Sequence, residues 1–204
     1  MEIIENKYNT LCQEISDINE HLPTLFKYAS ECESVIELGV RGCVSSWAFI
    51  FGLLNNNKNN KKILLNDINS CNIDELLYHT KNLDIDVKYE WKNDLDLVIN
   101  ENVDLVFIDT WHVYGQLIRE LNKFSKVTNK YIIMHDTEVD KNYGETIREG
   151  SNAYKQSQES GYPVEEINCG LQKAIDEFLK ENSDWTIFEK FENNNGLTIL
   201  KKIL

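Results

Sequence analysis

The stretch Val35-Ile36-Glu37-Leu38-Gly39-Val40-Arg41-Gly42 decides how this chain reads. It opens as a short apolar run after a polar segment and closes on two glycines. Val44-Ser45-Ser46-Trp47-Ala48-Phe49-Ile50-Phe51 then begins a helix. Strand, glycine turn and helix make the first unit of a nucleotide-binding α/β domain. Gly39 lets the chain turn sharply at the strand end, and Gly42 lets backbone approach a ligand without a Cβ in the way. Glu37 is placed to receive an ammonium or hydroxyl from that ligand. The spacing is not Gly-x-Gly-x-x-Gly, so a dinucleotide pyrophosphate fits it poorly. The same residues also suit an ordinary βα turn with no ligand.

Similar units follow. Lys62-Ile63-Leu64-Leu65-Asn66-Asp67 is a second apolar strand ending in an acid. A carboxylate at that position is placed to accept hydrogen bonds from both hydroxyls of a ribose. Asn72 caps a helix over 73–81, and 86–91 alternates as a third strand. Asn93-Asp94 after it suits either an adenine amine or the cap of a helix over 95–100. Residues 103–109 are nearly all apolar, as a buried parallel strand should be, and run into Asp109-Thr110-Trp111-His112. A helix over 113–124 carries Leu117, Ile118, Leu121 and Phe124 on one face, and the strand over 130–137 ends in His135-Asp136-Thr137. Residues 138–170 lack a strong period and read as a lid or binding loop. A helix over 171–180 and a hairpin of 184–191 with 197–200, joined through Asn195-Gly196, complete the chain.

Before the first strand, residues 8–31 read as helical. Leu11, Ile15, Ile18, Leu22, Leu25, Phe26 and Ala29 share a face, interrupted near Pro23. The polar cluster Asp17 to His21 at that break suits either closure over a ligand or solvated capping. The expected organisation is one α/β domain over 1–204. It has an N-terminal helical segment (1–32) and a doubly wound Rossmann-like core (33–204), with the site along the C-terminal edge of the strands.

Composition narrows the classes. A chain of 204 residues with 42% hydrophobic and 27% charged residues can bury a substantial core. The formal net charge of −13 argues against a broad basic surface that grips nucleic acid. Five scattered cysteines without a Cys-x-x-Cys pair speak against a disulfide framework or zinc site and for a reducing interior. There is no basic-then-apolar leader pattern and no apolar run near the ~20 residues of a membrane span. A cytoplasmic chain with a small-molecule acceptor, no nucleic-acid or membrane partner, and an open question of homo-oligomerisation is expected.

Glu37-x-Gly39 after the first strand, Asp67 after the second, Asp109 after the fourth and the terminal hairpin together resemble class I S-adenosylmethionine-dependent methyltransferases. The match covers about Val35 to the C-terminus. Phe107-Ile108-Asp109-Thr110-Trp111-His112-x-Tyr114 and Ile132-Ile133-Met134-His135-Asp136-Thr137 are similar to one branch of that class. It holds small O-methyltransferases, macrocin O-methyltransferase-like proteins and cephalosporin-hydroxylase-like proteins. The resemblance implies a seven-stranded sheet with a reversed last strand. It implies S-adenosyl-L-methionine at Glu37, Gly39, Arg41, Gly42, Ser45, Asp67, Asn93, Asp94 and Asp109. It also implies a divalent metal on Asp109 and Asp136, with His135 where some relatives carry a second acid.

The chemistry of these residue types agrees with that expectation. Two carboxylates brought close repel unless a proton or a cation lies between them. Mg2+ or Mn2+ on Asp109, Asp136 and His135 would bind an acceptor oxygen and lower its pKa. His112 or His135 could instead take the proton directly, which makes Asp109, His112 and His135 the catalytic candidates. Trp111 and Tyr114 suit an acceptor pocket or the core. The expected activity is an adenosylmethionine-dependent O-methyltransferase acting on a small polyhydroxylated acceptor such as a sugar. The alternatives are a silent adenosylmethionine-binding module and a nicotinamide-dependent oxidoreductase, the latter disfavoured by the glycine spacing.

Overall fold

A computed structural model describes residues 1–203. Seven strands form one sheet: β1 (Ser34–Leu38), β2 (Lys62–Asp67), β3 (Asp86–Trp91), β4 (Val103–Ile108), β5 (Thr128–His135), β6 (Trp185–Phe191) and β7 (Leu197–Lys202). Their order across the sheet is β3-β2-β1-β4-β5-β7-β6. The first five pair in parallel, and β7 inserts antiparallel between β5 and β6. This is the doubly wound sheet with a reversed last strand that the sequence pattern predicts. The strand order reverses between β1 and β4, which opens a crevice at their C-terminal ends.

Both faces of the sheet are covered, so β1 is buried along its whole length. Helices α1 (Glu2–Gln13), α2 (Leu22–Ser30) and α3 (Val44–Leu54) cover one face. The rings of Tyr8, Phe26 and Phe51 join the three, with centroids 4.9 to 5.4 Å apart. Gly52 lets α2 and α3 approach closely, since a Cβ there would lie 2.5 Å from the Phe26 carbonyl oxygen. A short helix, α4 (Asp74–Thr80), follows β2. Helices α5 (Tyr114–Phe124) and α9 (Leu171–Glu181) cover the other face through Leu117, Leu121, Phe124, Ala174, Ile175 and Phe178. Among the described residues no helix is long and apolar enough to cross a membrane.

Three expectations need correction. First, α1 starts at Glu2 and the chain leaves it at Glu14, which is extended. Ile15 is therefore 99% exposed rather than on the apolar face, because the helical period does not run through 14–18. Pro23 occupies the first turn of α2. Second, 95–100 form no helix beyond a single 3-10 turn, Asp94–Asp96. The Lys123 ammonium there takes the carbonyl oxygens of Asp94, Leu95 and Leu97, which a longer helix would need. Third, 138–170 contain three short helices, α6 (Glu145–Arg148), α7 (Ala153–Ser160) and α8 (Val164–Asn168). Each is too short to print a period on the sequence.

Candidate active site

The turn after β1 is made of left-handed residues: Gly39, Arg41 and Cys43 have φ of 88°, 42° and 61°. The turn wraps its amides around the Asp67 carboxylate at the end of β2. Asp67 Oδ2 accepts from Val40 N–H and Arg41 N–H, each at 3.0 Å, and Oδ1 accepts from Asn69 N–H at 2.7 Å. Burial alone would raise the Asp67 pKa, but these backbone donors outweigh it and hold the pKa below its ordinary value. A carboxylate has about four acceptor positions, so about one is left for a ribose hydroxyl.

Glu37 is fully buried at the end of β1. Ser45 Oγ donates to Glu37 Oε1 from the first turn of α3, and Glu37 Oε2 has no partner. Burial pushes the Glu37 pKa up to about 8, against the pull of the Ser45 hydrogen bond. A buried carboxyl with an orphaned oxygen is costly, which singles out Glu37 as a candidate ligand-binding position. Gly42 stands clear, for a Cβ there would meet nothing within 4 Å. The Arg41 side chain points outward to Asp17, at 2.8 Å. Asn93 caps the turn after β3 by accepting from Leu95 N–H. Asp94 is buried, and its carboxyl faces Gln116 on α5, whose Nε2 donates to Asp94 Oδ1 at 3.0 Å.

Across the crevice, the ends of β4 and β5 bring Asp109, His112, His135 and Asp136 together. His112 Nε2 lies 3.2 Å from Asp109 Oδ1, and His135 Nδ1 lies 3.3 Å from the same oxygen. Three more carboxylates crowd His112 Nδ1: Asp136 at 3.0 Å, Glu145 at 3.1 Å and Asp140 at 3.6 Å. None is aligned as a hydrogen bond, so His112 Nδ1 and Asp136 Oδ1 are buried without partners. β5 ends at His135, and Asp136 adopts φ of 56°, so strand alternation stops there and both side chains reach the cluster.

The electrostatics are mutual. Burial would lower the pKa of both imidazoles, but the neighbouring carboxylates, Asp109 foremost, raise them above their ordinary values. Burial would likewise raise Asp109, but His112 and His135 hold it well below the usual carboxylate range. Asp136 stays raised, since burial there exceeds the attraction of the two imidazoles.

Asp109, His112 and Asp136 each offer one ligand atom, and these atoms lie within 4.8 Å of one another. With the orphaned Asp136 oxygen and His112 nitrogen, this donor set fits a divalent ion. His135 lies outside that set; its Nε2 is 3.1 Å from the Asn194 carbonyl oxygen in the hairpin turn, and its Nδ1 faces Asp109.

Three residues of this cluster escape a reading of the sequence. Asp140 is fully buried and takes a paired contact from Arg148, at 2.7 and 2.9 Å. Glu145 opens α6, where its carboxylate accepts from His112 N–H while its own N–H donates to the His112 carbonyl. The only signal was a run of acids after His135-Asp136 that no helix period explained. Tyr114 does not line the cluster, since its hydroxyl donates to Glu177 on α9. Trp111 is half-buried and stacks on Tyr162, with centroids 6.0 Å apart.

The N-terminal segment closes one side. His21 Nε2 lies 2.9 Å from the Asn193 carbonyl oxygen, and its ring meets His135 edge-on at 5.8 Å. Burial, then the charge on His135, lowers the His21 pKa. Glu20 N–H donates to Asn194 Oδ1, and Asn194 Nδ2 donates to the Ser16 carbonyl.

No protein-family model matches this sequence, and no curated protein matches it. Solved structures do match. The O-methyltransferase from Bacillus cereus, in complex with SAH, superposes with a TM-score of 0.59 at 14% identity over 99% of this chain and 91% of that one. The O-methyltransferase TomG from Streptomyces achromogenes, in complex with SAM, gives 0.59 at 11% identity over 97% and 90%. The N-methyltransferase NodS from Bradyrhizobium japonicum, in complex with S-adenosylhomocysteine, gives 0.58 at 14% identity over 97% and 98%. At these identities the likeness is one of fold. The sheet order, the reversed β7 and the helices on both faces are those of these methyltransferases.

Proposed function

We propose that this chain, which has the fold of class I adenosylmethionine-dependent methyltransferases, transfers a methyl group from S-adenosylmethionine to a hydroxyl of a small polyhydroxylated acceptor such as a sugar. One observation carries the reading. Two chemically distinct sites adjoin at the strand-order switch: Glu37 and Asp67 on one side, and the carboxylate–imidazole cluster on the other. The ends of β1 and β4 approach closely at that switch, since a Cβ on Gly39 would lie 1.9 Å from the Asp109 carbonyl oxygen.

Adenosylmethionine supplies an electrophilic methyl group. The contribution of the protein is to hold the acceptor oxygen in line, about 3 Å away, which is worth much of the rate. Glu37 and Asp67 are placed to bind and orient the nucleoside. A divalent ion on Asp109, Asp136 and His112 would supply Lewis acidity to the acceptor hydroxyl. The arginines nearby are already paired, Arg41 with Asp17, Arg119 with Glu166 and Arg148 with Asp140. This favours an uncharged acceptor over a phosphorylated one.

Asp67→Ala should weaken adenosylhomocysteine binding about tenfold or more, the loss of a charge-assisted bond worth about 1.5–3 kcal/mol. Calorimetric titration with adenosylmethionine, adenosylhomocysteine and NAD tests both the residue and the reading. Tight NAD binding with no response to the other two would overturn the assignment.

The metal has its own signature. The carboxylates around His112 favour its protonated form, so an ion that takes a His112 nitrogen must displace a proton. Adding Mg2+ or Mn2+ to chelator-treated protein should release up to about one proton, and ion affinity should fall as pH falls. Methyl transfer should be lost in chelator and restored by either ion. Full activity in chelator, with no proton release in a weakly buffered titration, would remove the metal from the mechanism.

A further inference from the structure

Beneath the site lies a second pair of acids that the chemistry above does not use. Asp94, in the turn after β3, and Glu120, on α5, are both buried, and their side chains are in hydrogen-bonding contact. Glu120 Oε1 accepts from Thr110 Oγ1 at 2.5 Å and from Gln116 Nε2 at 2.9 Å. Gln116 Nε2 also reaches Asp94 Oδ1, and Gln116 Oε1 accepts from Tyr162 O–H at 2.8 Å. Asp94 Oδ2 and Glu120 Oε2 have no other partner. Among the described residues no side-chain cation lies between them: the nearby Lys123 ammonium is held by backbone carbonyls, and Arg119 is held by Glu166 beside Tyr162. Two buried carboxyls in contact, without a cation, hold one proton between them.

We propose that Asp94 and Glu120 share a single proton and act as positioning residues, fixing the turn after β3 and Thr110-Trp111 in the one arrangement that receives the nucleoside. The network is placed for that role. It ties together the turn after β3, the residues that follow the metal-ligating Asp109, and Tyr162, whose ring lies within 12° of parallel to that of Trp111. Loss of the shared proton would set two buried charges against each other and push these three segments apart. The inference rests on the methyltransferase reading above, in that adenosylhomocysteine is the ligand used to detect it.

The test is adenosylhomocysteine affinity of the full chain, measured for wild type, Glu120→Gln and Glu120→Ala between about pH 6 and pH 9. The amide of Glu120→Gln replaces the shared proton, so this variant should bind within about threefold of wild type near neutral pH. Glu120→Ala should bind about tenfold or more weakly. As pH rises, wild type should lose affinity relative to Glu120→Gln, because only wild type has the proton to lose. The titrating neighbours Lys123 and Tyr162, and the histidine cluster, are common to both proteins and cancel in the ratio. Folded Glu120→Ala binding like wild type would overturn the inference, as would Glu120→Gln binding as weakly as Glu120→Ala. If Glu120→Ala does not fold, a wild-type to Glu120→Gln ratio constant with pH overturns it by itself. Wild type that binds no nucleoside would sink the methyltransferase reading as well, whereas normal wild-type binding with an indifferent Glu120 would sink this inference alone.

Discussion

Gly39→Ala is expected to lower the melting temperature by about 8–16 °C, the equivalent of about 4 kcal/mol in a chain of this size. Two effects add. Gly39 has a φ of 88°, where an L side chain costs about 1–2 kcal/mol. The new Cβ would also fall 1.9 Å from the Asp109 carbonyl oxygen, so β1 and β4 must part at their ends. Asp109 N–H donates to the Leu38 carbonyl there, at 2.8 Å, and would be drawn out of place. The Asp109 carboxylate, a proposed metal ligand, would move with it, so surviving folded protein should bind Mn2+ poorly. Gly42→Ala is the control: a Cβ there touches nothing, so stability should change by less than about 1 kcal/mol while nucleoside affinity falls if the ligand backs onto that turn. A Gly39→Ala protein melting within about two degrees of wild type would mean that the β1–β4 contact yields freely.

Glu37→Gln should make the protein more stable in alkaline solution and less able to bind its nucleoside. The sign follows from the pKa. Burial raises Glu37 to about 8 in the folded chain, whereas the unfolded chain releases that proton near 4.5. Between those values the folded state holds more protons, so wild-type stability falls as pH rises, by up to about 1.4 kcal/mol per unit. A glutamine has no proton to lose, so the advantage of Glu37→Gln should grow from near zero at about pH 5 to several kcal/mol at about pH 8. Ser45 can still donate to the amide oxygen. Urea unfolding of both proteins at several pH values measures the difference, and the comparison removes every other titrating group. A difference that does not vary with pH would place the Glu37 carboxylate outside the buried position described. Binding should move the other way above about pH 8, where Glu37 is ionised, with adenosylhomocysteine affinity falling about tenfold or more for want of the carboxylate.

The sheet was legible because parallel strands buried on both faces must be largely apolar, and 35–36, 63–65 and 105–108 are. Their polar endings named Glu37, Asp67, Asp109 and Asp136 without any knowledge of contacts. What stayed hidden depended on tertiary placement. Gln116 and Glu120 lie four apart on α5, and a helical-face reading sends such residues to solvent, yet both are buried. Asp140, Glu145 and Arg148 sit in a stretch whose helices are too brief to leave a period. Asp94 carries the residue type expected of a base-binding turn, but its carboxyl is turned to Gln116 on α5. Which histidine joins the candidate metal-ligand set was also out of reach, since it hinges on which imidazole nitrogen the fold brings near both Asp109 and Asp136.

The hairpin turn that holds His21 and His135 has a consequence for how the protein is made. The contact between His21 and Asn193 spans 172 positions of sequence. At about 5–20 residues per second, the ribosome needs about 10–35 s to travel from one to the other. During that interval the nascent chain already owns β1, β2 and their glycine turn, but His21 has no carbonyl to meet and β5 has no β7 beside it. The nucleoside half of the crevice can therefore assemble during translation, while the half that would do chemistry must wait until residues 193–202 have left the exit tunnel. A chain that ends before residue 193 would lack the two carbonyls that meet His21 and His135.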